Sequence, residues 1–120
     1  MNKIKQLEQM RFSILTKDLN KCYICGGIKN DLHEIYAGSN RVNSMKWGCV
    51  IPVCRNCHDR IHKDTTLYST KIKGILYPKI TFMEETQIKM QYAFNKKYPD
   101  IDFLSIFHYD YINGLQVKRK

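Results

Sequence analysis

Four cysteines fall in two Cys-x-x-Cys pairs, Cys22/Cys25 and Cys54/Cys57, with 28 residues between the pairs. Zinc takes four tetrahedral ligands, and two such turns supply four thiolates. The spacing predicts one structural Zn2+ held by all four. A redox Cys-x-x-Cys needs only one pair, in a thioredoxin-like βαβ context that this sequence lacks. The opening "MNKIKQLEQMRF" has no apolar h-region, so no secretory signal is expected. A reducing, cytoplasmic setting follows, in which two disulfides are a poor alternative to metal. The fifth cysteine, Cys49, lies in the apolar run "CVIPV" and reads as a small buried hydrophobe.

Three histidines stand close to this frame. His58 directly follows Cys57, and His62 lies four residues further on. On a helix that spacing puts both imidazoles on one face, a turn apart. His33 falls between the two cysteine pairs, in "DLHEIYA", which reads as a strand. Three neutral imidazoles with room for water or a phosphate oxygen form an open metal site. The plainer alternative is a pair of surface histidines on a basic helix. His108, in the aromatic C-terminal part, is given no role.

The elements that must position these residues are legible in outline. Ile4, Leu7, Arg11, Ile14 and Leu15 follow helical spacing, so residues 3–17 read as an amphipathic helix. Residues 31–37 and "CVIPV" read as strands, joined by a polar loop, "GSNRVNSMKWG", with a glycine at each end. Pro52 suggests an exposed edge or a bulge in the second strand. "CRNCHDRIHKD" reads as a helix. Residues 65–82 are ambiguous, with "ILYPKITF" extended. "MEETQIKMQYAFNKKY" reads as a helix with Ile88, Tyr92 and Phe94 on its apolar side, and "DFLSIFHYDYI" as a short helix packing back on the body. "VKRK" reads as a loose basic tail.

At 120 residues the chain is one domain, 1–120, and 26% charged against 43% hydrophobic residues is a globular rather than disordered balance. No apolar run is long enough to cross a bilayer. A formal net charge of +9 predicts an acidic partner, with nucleic acid the first candidate. A membrane surface or a ribosome-like partner would suit the same charge.

Taken together, "CYIC…LHEIYAG…PVCRNCHDRIH" resembles the HNH endonucleases, the zinc-knuckle branch of the ββα-metal (His-Me finger) nucleases, and small phage-type HNH proteins in particular. The resemblance covers about residues 20–64. It implies an α+β fold: a ββα-metal core with a structural zinc knuckle, flanked by the N-terminal helix (3–17) and a C-terminal helical extension (65–120). It implies a divalent ion such as Mg2+, Mn2+ or Ni2+ at His33, His58 and His62. Glu34 stands where the family usually has the histidine that acts as general base. The family's middle Asn position is Cys49 here, so Asn40 or Asn43 would have to substitute for it. The implied activity is hydrolysis of phosphodiester bonds, with double-stranded DNA the expected substrate. Arg41, Lys46, Arg55, Arg60 and Lys63 then read as contacts to backbone phosphates, with Lys71, Lys73, Lys79 and the tail extending the footprint. Two further readings remain open: a non-catalytic zinc module that binds nucleic acid, and a protein that engages a phage or host replication or recombination protein through its aromatic C-terminal part.

Overall fold

The buried run Val50–Val53 forms strand β2, which pairs antiparallel with β1 (Asp31–Glu34). The register sets Leu32 opposite Pro52, His33 opposite Ile51 and Glu34 opposite Val50. The computed structural model describes residues 2–116 and is a mixed α+β chain. The proline expectation needs correction: the pairing has no bulge, and Pro52 is buried rather than at an exposed edge. In this register the nitrogen and oxygen of Pro52 point away from β1, so the missing N–H costs no ladder bond. Its carbonyl instead accepts the N–H of Tyr23 at 2.8 Å.

The polar loop expected between the strands is mostly helical. A single 3-10 turn (Gly38–Asn40) leads into α2 (Arg41–Trp47). Ser44 explains its placement, since its hydroxyl donates to Tyr36 O at 2.7 Å and accepts from Tyr36 N at 3.1 Å. Gly48 closes the helix in the left-handed region (φ 76°), and the N–H groups of Gly48 and Cys49 both turn back to Ser44 O. The N-terminal helix is shorter than expected, with α1 spanning Lys3–Gln9 instead of 3–17. Met10 caps it, and further on Ser13 holds a turn in place of a helix, its hydroxyl taking the N–H groups of Leu15 (3.1 Å) and Thr16 (3.4 Å). The N–H of Ile14 goes to Gly48 O at 3.0 Å, and Ile14 and Leu15 pack on the core from an irregular segment.

Beyond α3 (Arg55–Lys63) the extension is not wholly helical. Residues 68–80 form a hairpin, β3 (Tyr68–Ile72) and β4 (Ile75–Ile80). Its two-residue turn is Lys73-Gly74, with φ 52° and 79°. Two positive φ values are what a type I′ hairpin turn demands. Helix α4 (Phe82–Lys97) starts at a capping box between Thr81 and Glu84. Helix α5 (Phe103–Phe107) follows, then the short pair β5 (Tyr109–Asp110) and β6 (Leu115–Gln116). The "VKRK" tail lies outside the described residues.

One main core joins the cysteine-bearing half to the C-terminal half. Tyr36, Ile51, Val53 and Ile61 pack with Met90, Phe94, Phe103 and Phe107. The rings of Phe103 and Phe107 stack at 4.5 Å between centroids, and Tyr36 meets Phe107 at 4.7 Å. The aromatic C-terminal segment is therefore interior at Phe103 and Phe107. Helix α4 buries Phe82, Ile88, Met90, Gln91 and Phe94, while Tyr92 stays half-buried. Among the described residues no helix is long and apolar enough to cross a membrane.

Gly48 is the most crowded of the six glycines. A Cβ there would lie 2.4 Å from Cε2 of Phe12 and 2.9 Å from Cγ2 of Ile14, in addition to the strain of positive φ. Gly48→Ala should therefore destabilise the protein by about 2 kcal/mol or more. Urea unfolding should show a lower midpoint at an unchanged slope.

Candidate functional site

The first cysteine pair lies on a tight turn that carries Cys22 N–H to Gly27 O (2.7 Å) and Gly26 N–H to Cys22 O (2.9 Å). Cys54 sits at the N-cap of α3 with extended backbone, and its sulfur accepts the N–H of Cys57 at 3.4 Å. Gly27 N–H approaches Cys25 Sγ at the same distance, 3.4 Å. All four sulfurs lie within 4.8 Å of one another, and Cys25 Sγ is 3.7 Å from Cys54 Sγ. A zinc with four bonds of about 2.3 Å places its sulfurs about 3.8 Å apart, so this cluster fits a zinc-sized ion. Burial opposes ionisation of Cys22, but backbone hydrogen bonds from Cys25, Cys54 and Ile24 outweigh it and bring the thiol down to about 6. Burial pushes Cys57 up, and the crowded sulfurs of Cys54, Cys22 and Cys25 push it further. A bound dication removes this conflict among thiolates.

The second cluster is made by β1 and α3. His33, His58 and His62 each bring a ring nitrogen to within 4.8 Å of the others. Ring centroids are 5.1 Å apart for His33–His58 and His33–His62, and 4.8 Å for His58–His62. His33 is buried, His58 half-buried and His62 exposed, so the cluster opens to solvent along α3. Burial and the neighbouring rings push His33 down to about 4, which keeps it neutral and able to act as a ligand. Its Nε2 is buried with no hydrogen-bond partner among the described residues. An orphaned polar nitrogen in the interior is costly unless something binds it, and a cation facing three neutral imidazoles meets that need.

Asp31 belongs to this arrangement, although the sequence reading passed over it. Its Oδ2 lies 3.1 Å from Nδ1 of His58, and that bond to His58 lowers the Asp31 pKa. Holding Nδ1 leaves Nε2 of His58 for a ligand bond and fixes the ring. The signal was present in "DLH", because residues two apart on a strand share a face.

Glu34 is not brought to the histidines. It is the next residue on β1 and so points to the other face. There its carboxylate meets Arg41 Nε at 2.8 Å and Arg11 Nη1 at 3.6 Å, while Arg41 also bonds Glu8 at 2.7 Å. Asn40 and Asn43 are also engaged elsewhere, donating to the carbonyls of Phe107 (3.0 Å) and Ile106 (3.2 Å) at the end of α5. Cys49 is fully buried, and burial pushes its thiol up to about 12.

Of the five cations expected to contact phosphates, three share α3 with the histidines. Arg55 lies 3.5 Å from Asp31, Arg60 3.5 Å from Asp64, and Lys63 3.9 Å from Asp59. All three are exposed, and Arg60 also stacks over the Phe82 ring at 3.8 Å. Lys46 is exposed on α2, whereas Arg41 is committed to the two glutamates. Comparison with known proteins finds no matching family model, no matching curated protein and no matching solved structure.

Two outcomes follow from the geometry. Cys54→Ser/Cys57→Ser should lose one zinc per chain by elemental analysis and lose most helical circular dichroism, since metal binding and folding are coupled at such sites. Asp31→Asn should weaken binding of a second divalent ion by about 10- to 100-fold in calorimetric titration while leaving the zinc content at one per chain.

Proposed function

We propose that the histidine cluster is the reaction centre of a metal-dependent DNA endonuclease or nickase of the HNH kind, hydrolysing phosphodiester bonds. The observation that carries this reading is the convergence of three imidazoles beside a four-cysteine site, with the buried Nε2 of His33 lacking a partner among the described residues. His33, His58 and His62 would hold Mg2+, Mn2+ or Ni2+, which when bound supplies Lewis acidity to a phosphate and stabilises the leaving oxygen. The chain's own contribution is positional. Burial keeps His33 neutral, Asp31 holds the ring of His58, and exposed His62 leaves the approach open. Arg55, Arg60 and Lys63 lie on the same helix in weak exposed ion pairs, which phosphate oxygens can displace at little cost. The free thiols suit a reducing compartment such as the cytoplasm.

Glu34 would serve as general base only by leaving both arginines. We assign it instead to anchoring Arg11 and Arg41 around β1. This same observation favours a second reading, a zinc module that binds nucleic acid without cleaving it.

Supercoiled plasmid incubated with the protein in Mg2+, Mn2+ or Ni2+ separates the two. Nicking that disappears in His33→Ala, at unchanged zinc content, supports the nuclease. Tight binding without cleavage in every metal supports the module. If Glu34 is an anchor, Glu34→Gln should lower stability by roughly 1–3 kcal/mol and leave cleavage per folded molecule near wild type. A loss of about 10²- to 10⁴-fold at unchanged stability would return Glu34 to the role of base.

A further inference from the structure

A second concentration of positive charge lies on the outer face of α4. A groove of about 980 Å³ runs between this face, the β3–β4 turn and the first cysteine turn. Its walls carry Lys71, Lys73, Lys89, Lys96 and Lys97, and no acidic residue lines it. Lys89 is bonded to Glu85 at 2.6 Å, while the other four make no ion pair with any described residue. Four unpaired ammonium groups around one concavity repel one another and contribute nothing to folding, so the arrangement fits a polyanion. The floor is of a different character. Ile14, Leu15, Ala93 and the rings of Tyr23 and Tyr92 face the groove, and Tyr23 is 47% exposed.

We infer that this groove binds single-stranded nucleic acid, with phosphates along the lysine walls and an unpaired base stacked on Tyr23. Cationic walls over an aromatic floor are the physical requirements of single-strand binding. A duplex hides its base faces and would leave the floor unused, and an acidic peptide has no need of exposed tyrosine. The groove also continues toward α3. A smaller depression of about 200 Å³ shares Leu15, Tyr23 and Lys89 with it and reaches Phe82, over which Arg60 lies; the one carboxylate that lines it, Glu85, is paired with Lys89. The inference rests on the nucleic-acid reading for its class of partner, and it adds a track separate from the histidine cluster.

The test is anisotropy of a labelled 20-nucleotide single strand, titrated across salt without added divalent ion. Removing three contacts in Lys73→Gln/Lys96→Gln/Lys97→Gln should reduce the slope of log affinity against log salt by about 2, at roughly 0.7 per phosphate. Tyr23→Ser should weaken binding by roughly tenfold or more, and Tyr23→Phe should restore it. Zinc content at one per chain checks that each variant is folded. An unchanged salt slope in the lysine variant, or no response to Tyr23→Ser, overturns the inference. So does loss of polyglutamate binding in the lysine variant when strand binding is intact, which assigns the groove to an acidic polypeptide. Plasmid nicking is scored in parallel. A wild type that binds strands through these lysines but nicks nothing sinks the nuclease and leaves the groove standing. Nicking by wild type with lysine-independent strand binding does the reverse.

Discussion

The closure of residues 22–25 onto residues 54–57 fixes the orientation of everything at the candidate centre. The two cysteine turns bracket β1, α2 and β2, so a single ion on four sulfurs would tie both ends of that segment together. Cys54 acts twice, as a member of the sulfur cluster and as the N-cap of α3. A helix that begins on the cluster has its rotation about its own axis set there. Cys57 and buried Ile61 turn inward, and residues one position later lie about 100° around the helix. Those residues are His58 and His62. The cysteine cluster thus aims two imidazoles at β1.

Strand alternation then separates two tasks on β1. Asp31 and His33 share the face toward α3, where one holds His58 and the other completes the histidine cluster. Glu34 faces away, into a cluster with Arg11 and Arg41 that Glu8 extends. A carboxylate with a side chain only 11% exposed needs those cations. Its pairing draws the segment after α1 and the start of α2 onto the strand. Adjacent residues, His33 and Glu34, are thereby committed to the histidine cluster on one side and to assembly of the N-terminal region on the other.

The parts legible in sequence were those governed by short-range chemistry. Both cysteine turns, the i, i+4 histidines and α4 could be read from spacing, and α4 came out shifted by one residue. The misread parts depend on contacts distant in sequence or on turn chemistry given too little weight. Ser13 holds a turn by bonding forward where helix was expected, and the backbone of Ile14 is recruited by Gly48. Segment 41–47 looked like a loop because of its polar residues. Its helix depends on Ser44 bonding Tyr36 and on two asparagines bonding carbonyls of α5 more than 60 residues away. Gly74 was a readable turn signal, but Lys at the first turn position carries no hairpin preference, and its positive φ shows only in the fold. The environment of Glu34 was not readable, because Arg11 and Arg41, the latter also bonded to Glu8, meet it only in the folded chain.

The C-terminal half supplies what the cysteine-bearing segment cannot provide for itself. A segment of some 45 residues buries little apolar surface on its own, even with an ion on its four cysteines. Helix α4 completes that core and is tied in at polar points. Tyr36 donates to Gln87 O at 2.6 Å, and Tyr98 donates to Trp47 O at 3.0 Å. Buried Gln91 accepts the N–H groups of Tyr111 and Ile112 and donates to Asp110, which fixes the chain after α5. With Phe82, Met90, Gln91 and Phe94 committed inward, residues 89, 96 and 97 are left on the outer face of the same helix. Core packing and surface charge are therefore assigned to different positions of α4. The lysine face can change its charge without disturbing the packing that holds the cysteine and histidine clusters in place.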